Sequence, residues 1–190
     1  VLTPTRKGPC GTINLNRLLQ EALNPKAPGK REILWGERVF RVGDRIMQTR
    51  NDYDVVWEKA DGTVGTGMFN GDVGRIVEID QSGEWLALDF DGRTAPYSTE
   101  MLSEIDLAYA QTIHKAQGSE YRCVVLAAMP SAPSLMVRGV LYTALTRARE
   151  LLVIVGDDAA VRSMAANDKQ QKRYSGLKWR LCHAGDANGE

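Results

Sequence analysis

The spacing of apolar positions divides the chain into stretches of different texture. In the first, Ile13, Leu15, Leu18, Leu19, Ala22 and Leu23 recur at helical intervals and predict an amphipathic helix. Thr12 stands where a hydroxyl can cap the first turn. Asn24-Pro25 stops the helix, because proline disfavours helical geometry in the residue before it. Val1 to Thr3 reads as a short apolar strand ahead of the loop Pro4-Thr5-Arg6-Lys7-Gly8-Pro9, and the Pro- and Lys-rich residues 25–36 read as a surface linker. From Val39 onward the period shortens to that of strands. Arg45 to Thr49 and Val73 to Ile79 read as strands, with Trp85 to Phe90 and Arg93 to Tyr97 after them, and turns are marked by Asn70-Gly71-Asp72, Ser82-Gly83 and Asp91-Gly92. Asp91-Gly92 has the residues of a type I′ hairpin turn. Short strands at this density predict a small barrel. Residues 51–68, polar and Gly-rich, read as a long mobile loop within it.

After Leu102 longer elements return. Leu107 to Gln117 is compatible with a helix, Cys123 to Met129 is a buried strand, and Leu135 to Ala148 is a helix. Leu151 to Val155 is a second buried strand, followed by a short helix from Asp158 to Ala166. Continuous apolar strands alternating with helices predict a parallel sheet with helices on both faces. Trp35, Trp57 and Trp85 fall at strand spacing and read as core. Trp179 is expected to pack the last segment down, and residues 183–190 read as frayed.

Composition narrows the class. Over 190 residues, 43% hydrophobic and 25% charged content describes a globular domain with at most a small insertion. No run of about eighteen apolar residues suggests a membrane span, and no leader pattern is visible, so a cytoplasmic location is expected. Cys10, Cys123 and Cys182 are too far apart for paired metal-ligand spacing and read as reduced thiols; no metal site is expected. With 24 basic and 24 acidic residues the net charge is zero. That counts against a dedicated nucleic-acid clamp, but not against a protein touching a few phosphates along one groove.

Two segments carry concentrated chemistry. Thr112-Ile113-His114-Lys115-Ala116-Gln117-Gly118-Ser119-Glu120-Tyr121 places hydroxyl, imidazole, ammonium, amide and carboxylate groups together. Leu141-Tyr142-Thr143-Ala144-Leu145-Thr146-Arg147-Ala148-Arg149 brings two arginines to the end of a predicted helix. No segment reads G-x-x-x-x-G-K-[ST], the loop that cradles nucleotide phosphates.

In this order the two segments resemble the late signature motifs of superfamily 1 helicases. The resemblance narrows to RecD-like helicases, the exodeoxyribonuclease V alpha subunit family, on three further runs. VLTPTRKGPCGTINLNRLLQEALNP (Val1 to Pro25) is similar to the opening of their second motor domain. FRVGDRIMQTRNDY (Phe40 to Tyr53), continued by Phe69-Asn70-Gly71-Asp72-Val73-Gly74, resembles their SH3-like insertion. Leu107-Ala108-Tyr109-Ala110 leads into the first motif. The resemblance implies a discontinuous second RecA-like motor domain over residues 1–36 and 104–190, interrupted by an SH3-like β-barrel at 37–103. It also implies an ATP-dependent 5′–3′ DNA helicase or translocase that uses ATP and Mg²⁺, with both bound mainly by an N-terminal motor domain. Single-stranded DNA and that N-terminal domain are the implied partners, with nuclease or helicase subunits in an exonuclease complex. The sequence is then expected to be the C-terminal part of a larger motor, inactive in hydrolysis alone.

Residue by residue, the resemblance makes Arg147 an arginine finger. Charge on a transferring phosphoryl group needs a permanently charged, rigid donor. The structural alternative is an arginine paired with a helix C-terminus, the role expected of Arg149 if it is not simply a surface residue. Glu120 is implied to accept from the nucleotide ribose, with Gln117 and Gly118 shaping the same turn. Thr112, His114 and Lys115 are implied to hold the phosphate backbone of the strand, which fixes position without reading sequence. In the insertion, Asn51 and Tyr53 are candidates for DNA contact, Tyr53 by stacking or alternatively as core. Asn70-Gly71 is first of all a turn. Thr3, Thr5 and Arg6 stand where a cleft-facing loop is expected, with nucleotide, DNA and plain surface roles all open. Two other readings remain: a non-catalytic DNA- or protein-binding module, and the helicase half of a conjugative relaxase.

Overall fold

The computed structural model describes residues 1–169 together with Gly176 and Cys182. In chain order the first elements are β1 (Leu2–Thr3), α1 (Thr12–Leu23), β2 (Glu32–Trp35), β3 (Arg38–Arg41) and β4 (Arg45–Gln48). Then come β5 (Asp52–Glu58), β6 (Val64–Met68), β7 (Val73–Ile79), β8 (Trp85–Phe90) and β9 (Arg93–Ser98), a 3-10 turn over Thr99–Glu104, and β10 (Ile105–Leu107). The last are β11 (Gln111–Thr112), β12 (Tyr121–Ala128), α2 (Arg138–Leu145), β13 (Ala148–Gly156) and α3 (Asp158–Ala166). None of these helices is long and apolar enough to cross a membrane.

The middle of the chain builds an antiparallel sheet in the order β10-β4-β7-β8-β9-β5-β6. Alternation along each strand sends Ile46, Ile76, Leu86, Leu88, Phe90, Ala95 and Tyr97 into one core with Phe40, Met68, Leu102 and Ile105. The β2–β3 hairpin lays Ile33 and Trp35 against that core. Asp91 (φ 55°) and Gly92 (φ 81°) turn β8 into β9 with both central residues left-handed, as the expected type I′ turn requires. Gly74 lets β7 and β8 close: a Cβ there would lie 2.4 Å from the Asp89 carbonyl oxygen.

Two expectations for this region are corrected. Residues 51–68 are not a loop but the hairpin β5–β6, in which Val56 pairs with Thr66 and Glu58 with Val64. The linker at 25–36 ends in β2, a paired strand. Both stretches lie at the periphery, where one face of a strand meets water and the hydrophobic signal is weak.

The rest forms a parallel sheet in the order β11-β1-β12-β13. Helices α2 and α3 cover one face, burying Val124, Leu126, Ala128, Val140, Leu141, Ala144 and Met164 together. That face has the helix-covered parallel sheet expected from the sequence. On the other, Val125, Leu151, Val153 and Val155 are exposed among the described residues.

The predicted helix from Leu107 to Gln117 is absent. Leu107 ends β10, antiparallel to β4, and Gln111–Thr112 pairs in parallel with β1. Strand pairing with distant residues overrides a local helical period. Helix α2 is also shorter than Leu135 to Ala148, beginning at Arg138.

Helix α1 has the expected length but not the expected cap or orientation. Gly11 is its N-cap, without a side-chain bond, and the backbone carbonyls of Thr5 and Arg6 accept from Thr12 N and Ile13 N at 3.2 Å each. Its buried residues are Thr12, Asn16 and Gln20, while Ile13, Leu18 and Leu23 are exposed. The polar stripe faces inward because the groups it meets are polar. Asn16 donates to the carbonyls of Leu107 (2.9 Å) and Ala110 (3.0 Å) and accepts from Ala110 N (2.7 Å). Gln20 and Asn24 donate to the fully buried Asp44 at 2.5 and 2.7 Å. Arg41 N (2.7 Å) and the Tyr109 hydroxyl (2.9 Å) complete that carboxylate's set of donors. Burial and the Asp44 charge push the Tyr109 hydroxyl up to about 12. One buried carboxylate thus joins the chain's entry into the antiparallel sheet to its exit. Trp179 and residues 183–190 lie outside the described residues.

Candidate nucleic-acid interface

The segment from Thr112 to Gly118 is a series of tight turns hung from the end of β11. Ile113 N donates to Thr3 O at 3.0 Å, Ala116 N to Thr112 O at 3.1 Å and Gln117 N to His114 O at 3.2 Å. Ile113 and Ala116 are buried in the parallel-sheet core and act as anchors. Their intervening neighbours His114, Lys115, Gln117 and Gly118 are therefore pushed outward and exposed. Gly118 has φ +91°, a conformation that favours glycine whatever space surrounds it. Thr112 Oγ1 accepts from Lys115 N at 3.3 Å, so this hydroxyl also holds the turn.

Across from the turn stands the β6–β7 connection of the barrel. His114, Lys115 and Gln117 line an open cleft of about 420 Å³ with Met47, Asn70 and Gly71. Asn51 braces the barrel side: its Oδ1 accepts from Asn70 N at 2.9 Å, and its Nδ2 donates to the Tyr53 hydroxyl at 3.3 Å. Tyr53 is 66% exposed and meets Phe69 edge to face, with ring centroids 5.8 Å apart. The core alternative for Tyr53 is thus corrected. Phe69, quoted above only as part of the SH3-like run, is not singled out by the sequence, because its ring partner Tyr53 comes within reach only through the β5–β6 pairing. Gln117, expected beside Glu120, shares this cleft with His114 and Lys115.

Behind the cleft, Asp106 on β10 gathers three cations. Arg38 Nη1 lies 2.5 Å away, Arg6 Nη2 3.6 Å and Lys115 Nζ 4.0 Å. Burial holds the Lys115 amine below its usual range; Asp106 opposes that shift and Arg6 adds to it.

Arg147 lies on the turn between α2 and β13. Its Nε donates to Thr143 O (3.1 Å), Nη1 to Ser119 O (2.9 Å) and Nη2 to Thr146 Oγ1 (3.0 Å). The side chain is half-buried and has no ion-pair partner among the described residues. It caps a helix end and at the same time ties that end to the motif turn through Ser119. Glu120, two peptide units from Gly118, is held by Arg149, whose Nε and Nη2 both approach Oε2 at 2.6 Å. Of the two roles expected of Arg149, helix-dipole partner or surface residue, the exposed pair with Glu120 agrees with the second.

Thr3 and Thr5 fall elsewhere. Thr3 is buried and its hydroxyl donates to Cys10 O at 2.7 Å. Both line a separate hollow of about 320 Å³ with Cys10, Met129 and Ser131 at the carboxyl ends of β1 and β12. Among the described residues no group of three or more His, Cys, Asp or Glu side chains comes together as a metal site.

Comparison with known proteins gives this geometry a set of relatives. Residues 15–90 match the ATP-dependent RecD-like DNA helicase SH3 domain, and residues 107–155 match the UvrD-like helicase C-terminal domain. The chain is 37% identical over 178 residues to the ATP-dependent RecD2 DNA helicase of Deinococcus radiodurans, covering 94% of this chain and 23% of that protein. It is 34% identical over 186 residues to the RecBCD enzyme subunit RecD of Mycolicibacterium smegmatis, covering 97% of this chain and 29% of that one. The chain thus spans about a quarter of the length of these relatives. Bacteroides Pif1 bound to ssDNA shares its fold, with a TM-score of 0.54 at 16% identity over 98% of this chain and 46% of that one. Over nearly its whole length the chain is thus similar to RecD-type DNA helicases, with a RecD-like SH3-domain match followed by a UvrD-like C-terminal match, and the Pif1 likeness shows the same fold.

Proposed function

We propose that this chain is the second motor half and SH3-like insertion of an ATP-dependent 5′–3′ DNA helicase or translocase. Residues 1–36 and 104–190 would form the motor half and 37–103 the insertion. The relatives' names carry the helicase activity, and the Pif1 likeness supports the architecture. Mg²⁺ and ATP would be held mainly by residues outside this chain, since no phosphate-cradling loop occurs in its sequence.

The observation that carries this reading is the state of Arg147. Its guanidinium is oriented by three oxygen acceptors, none of them a carboxylate, so its positive charge is still available to an incoming anion. Such a donor, rigid before the reaction starts, stabilises charge on the γ-phosphoryl group without reorganisation. Glu120, Gln117 and Gly118 would complete this side of the nucleotide pocket; Glu120 would have to leave Arg149 or share it. On the other side of the turn, Thr112, His114 and Lys115 would hold strand phosphates. Asn51 would position Tyr53, whose exposed ring offers a stacking surface to a base. Nucleotide and strand would then be coupled through one short turn, with Ser119 bonded to the finger and His114 facing the cleft. Nuclease or helicase subunits are further candidate partners, and the cytoplasm the expected compartment.

The decisive experiment is Arg147→Ala in the full-length protein. DNA-stimulated ATP hydrolysis should fall by about three to five orders of magnitude with the fold intact by circular dichroism. Hydrolysis at the original rate would discard the assignment.

A further inference from the structure

Asp106 is surrounded by more positive charge than it can neutralise. Arg6 comes from the loop after β1, Arg38 from the start of β3 and Lys115 from the motif turn, and all three converge on this one carboxylate. Three cations less one anion leaves a local excess of two positive charges. The contacts are graded. Arg38 is fixed: its Nη1 also donates to Ile105 O at 2.7 Å, and its guanidinium lies 4.5 Å over the Trp35 ring. Arg6 and Lys115 only approach Asp106, at 3.6 and 4.0 Å, and neither has another ion-pair partner among the described residues. The Arg6 side chain is 65% exposed. The cluster is continuous with the cleft, because Lys115 lines both and Asp106 stands opposite Met47 in the β10–β4 register.

We propose that Arg6, Arg38 and Lys115 form a backbone-phosphate subsite for the single strand, and that Asp106 occupies it as a resident anion which a strand phosphate displaces from Arg6 and Lys115. The idea rests on the reading of the cleft as a nucleic-acid surface and extends it. A tetrahedral phosphate has oxygens enough to bridge a guanidinium and an ammonium at once, whereas Asp106 already gives one oxygen to Arg38. Burial first and Arg6 second hold the Lys115 amine below its usual range against the pull of Asp106, and a second anion entering beside it would offset both. The carboxylate serves two ends: it keeps the cations aimed at the cleft when no strand is present, and it weakens the grip once one is. A protein that must release its track at every step benefits from a competitor built into the site.

The sign of one substitution separates this from a purely structural ion-pair network. Asp106→Asn keeps a hydrogen-bond acceptor for Arg38 and removes the competing charge. In the full-length protein without nucleotide, fluorescence anisotropy with labelled oligo(dT) should show roughly threefold or greater tightening at low salt. The log–log salt slope should become steeper by up to about 0.7, the increment for one more single-strand phosphate contact. Arg6→Ala should make the slope shallower by about the same amount, and combining the two should cancel most of the gain. Unchanged or weaker binding by Asp106→Asn, with the melting temperature preserved, overturns the proposal. So does an Arg6→Ala variant that changes the ATP requirement but not the oligo(dT) slope, which would assign the phosphate to the nucleotide. If the original protein binds oligo(dT) and His114→Ala weakens it while both cluster variants are silent, only the subsite falls. If the original protein binds no oligo(dT) at all, the nucleic-acid reading falls with it.

Discussion

The barrel and the parallel sheet treat their apolar residues in opposite ways. In the barrel, strands β4 and β7 to β9 direct nearly every inward position into one closed core, and Phe90, Tyr97 and Leu88 are inaccessible to solvent. In the parallel sheet one face is packed by α2 and α3, while Val125, Leu151, Val153 and Val155 stand exposed among the described residues. The chemistry is distributed the other way round. The sheet's turns present His114, Lys115, Gln117 and Arg147, and the barrel contributes a brace, Asn51, and an aromatic pair, Tyr53 and Phe69. A self-sufficient core can be inserted as a unit without disturbing its host. The parallel sheet, packed on one face, instead carries its exposed polar groups on the connections between its strands.

The contrast can be broken most sharply inside the barrel. Phe90→Ala empties a fully buried site beside Tyr97 and should cost about 3–5 kcal/mol in urea unfolding. A loss below about 1 kcal/mol would mean that the barrel core is not closed. Next comes the junction between the two regions. Tyr109→Phe removes one donor from buried Asp44 and should cost about 1.5–3 kcal/mol near neutral pH. Its pH dependence has a defined sign. The folded-state hydroxyl is pushed up to about 12 from an ordinary value of 10.0, so its contribution is complete below pH 10 and is lost as pH rises toward 12. Melts at pH 8 and pH 11 should therefore show a steeper alkaline decline for the original chain than for Tyr109→Phe; equal declines would remove Tyr109 from the account. The smallest effect belongs to the open sheet face. Val153→Thr, at a position 41% exposed, should shift stability by no more than about 0.5 kcal/mol. A cost of several kcal/mol would show that something covers that face in solution.

The strands of the barrel core were legible in the sequence because short apolar runs are separated there by Gly, Asp and Asn turns, of which Asp91-Gly92 is the clearest. The hairpin β5–β6 was not, because Asp52, Asp54, Thr66 and the glycines of its partner strand mimic the composition of a loop while the pairing comes from tertiary contacts. Leu107 to Gln117 misled in the other direction. Its helical period is produced by anchors such as Ala110, Ile113 and Ala116, which point inward from two short pairings and a chain of turns. Helix α1 was located correctly but assigned the wrong inner face, since a rule that buries apolar side chains cannot foresee a buried carboxylate calling for amide donors. For the site, the motif residues could be named through the resemblance to helicase motifs, which their composition and order carry. Their mutual placement could not: nothing linear joins Asn70 to Gln117, or Arg38 and Arg6 to Asp106. Those neighbourhoods exist only after the chain has left the sheet, formed the barrel and come back.

That departure and return pass through Asp44, which receives Gln20 and Asn24 from the outgoing path and Tyr109 from the homecoming one. An insert stitched at both ends to a single internal anion has no free hinge at its root. A tilt of the supporting strands would therefore be handed straight to the barrel, and with it to the cleft wall where Asn70 faces His114.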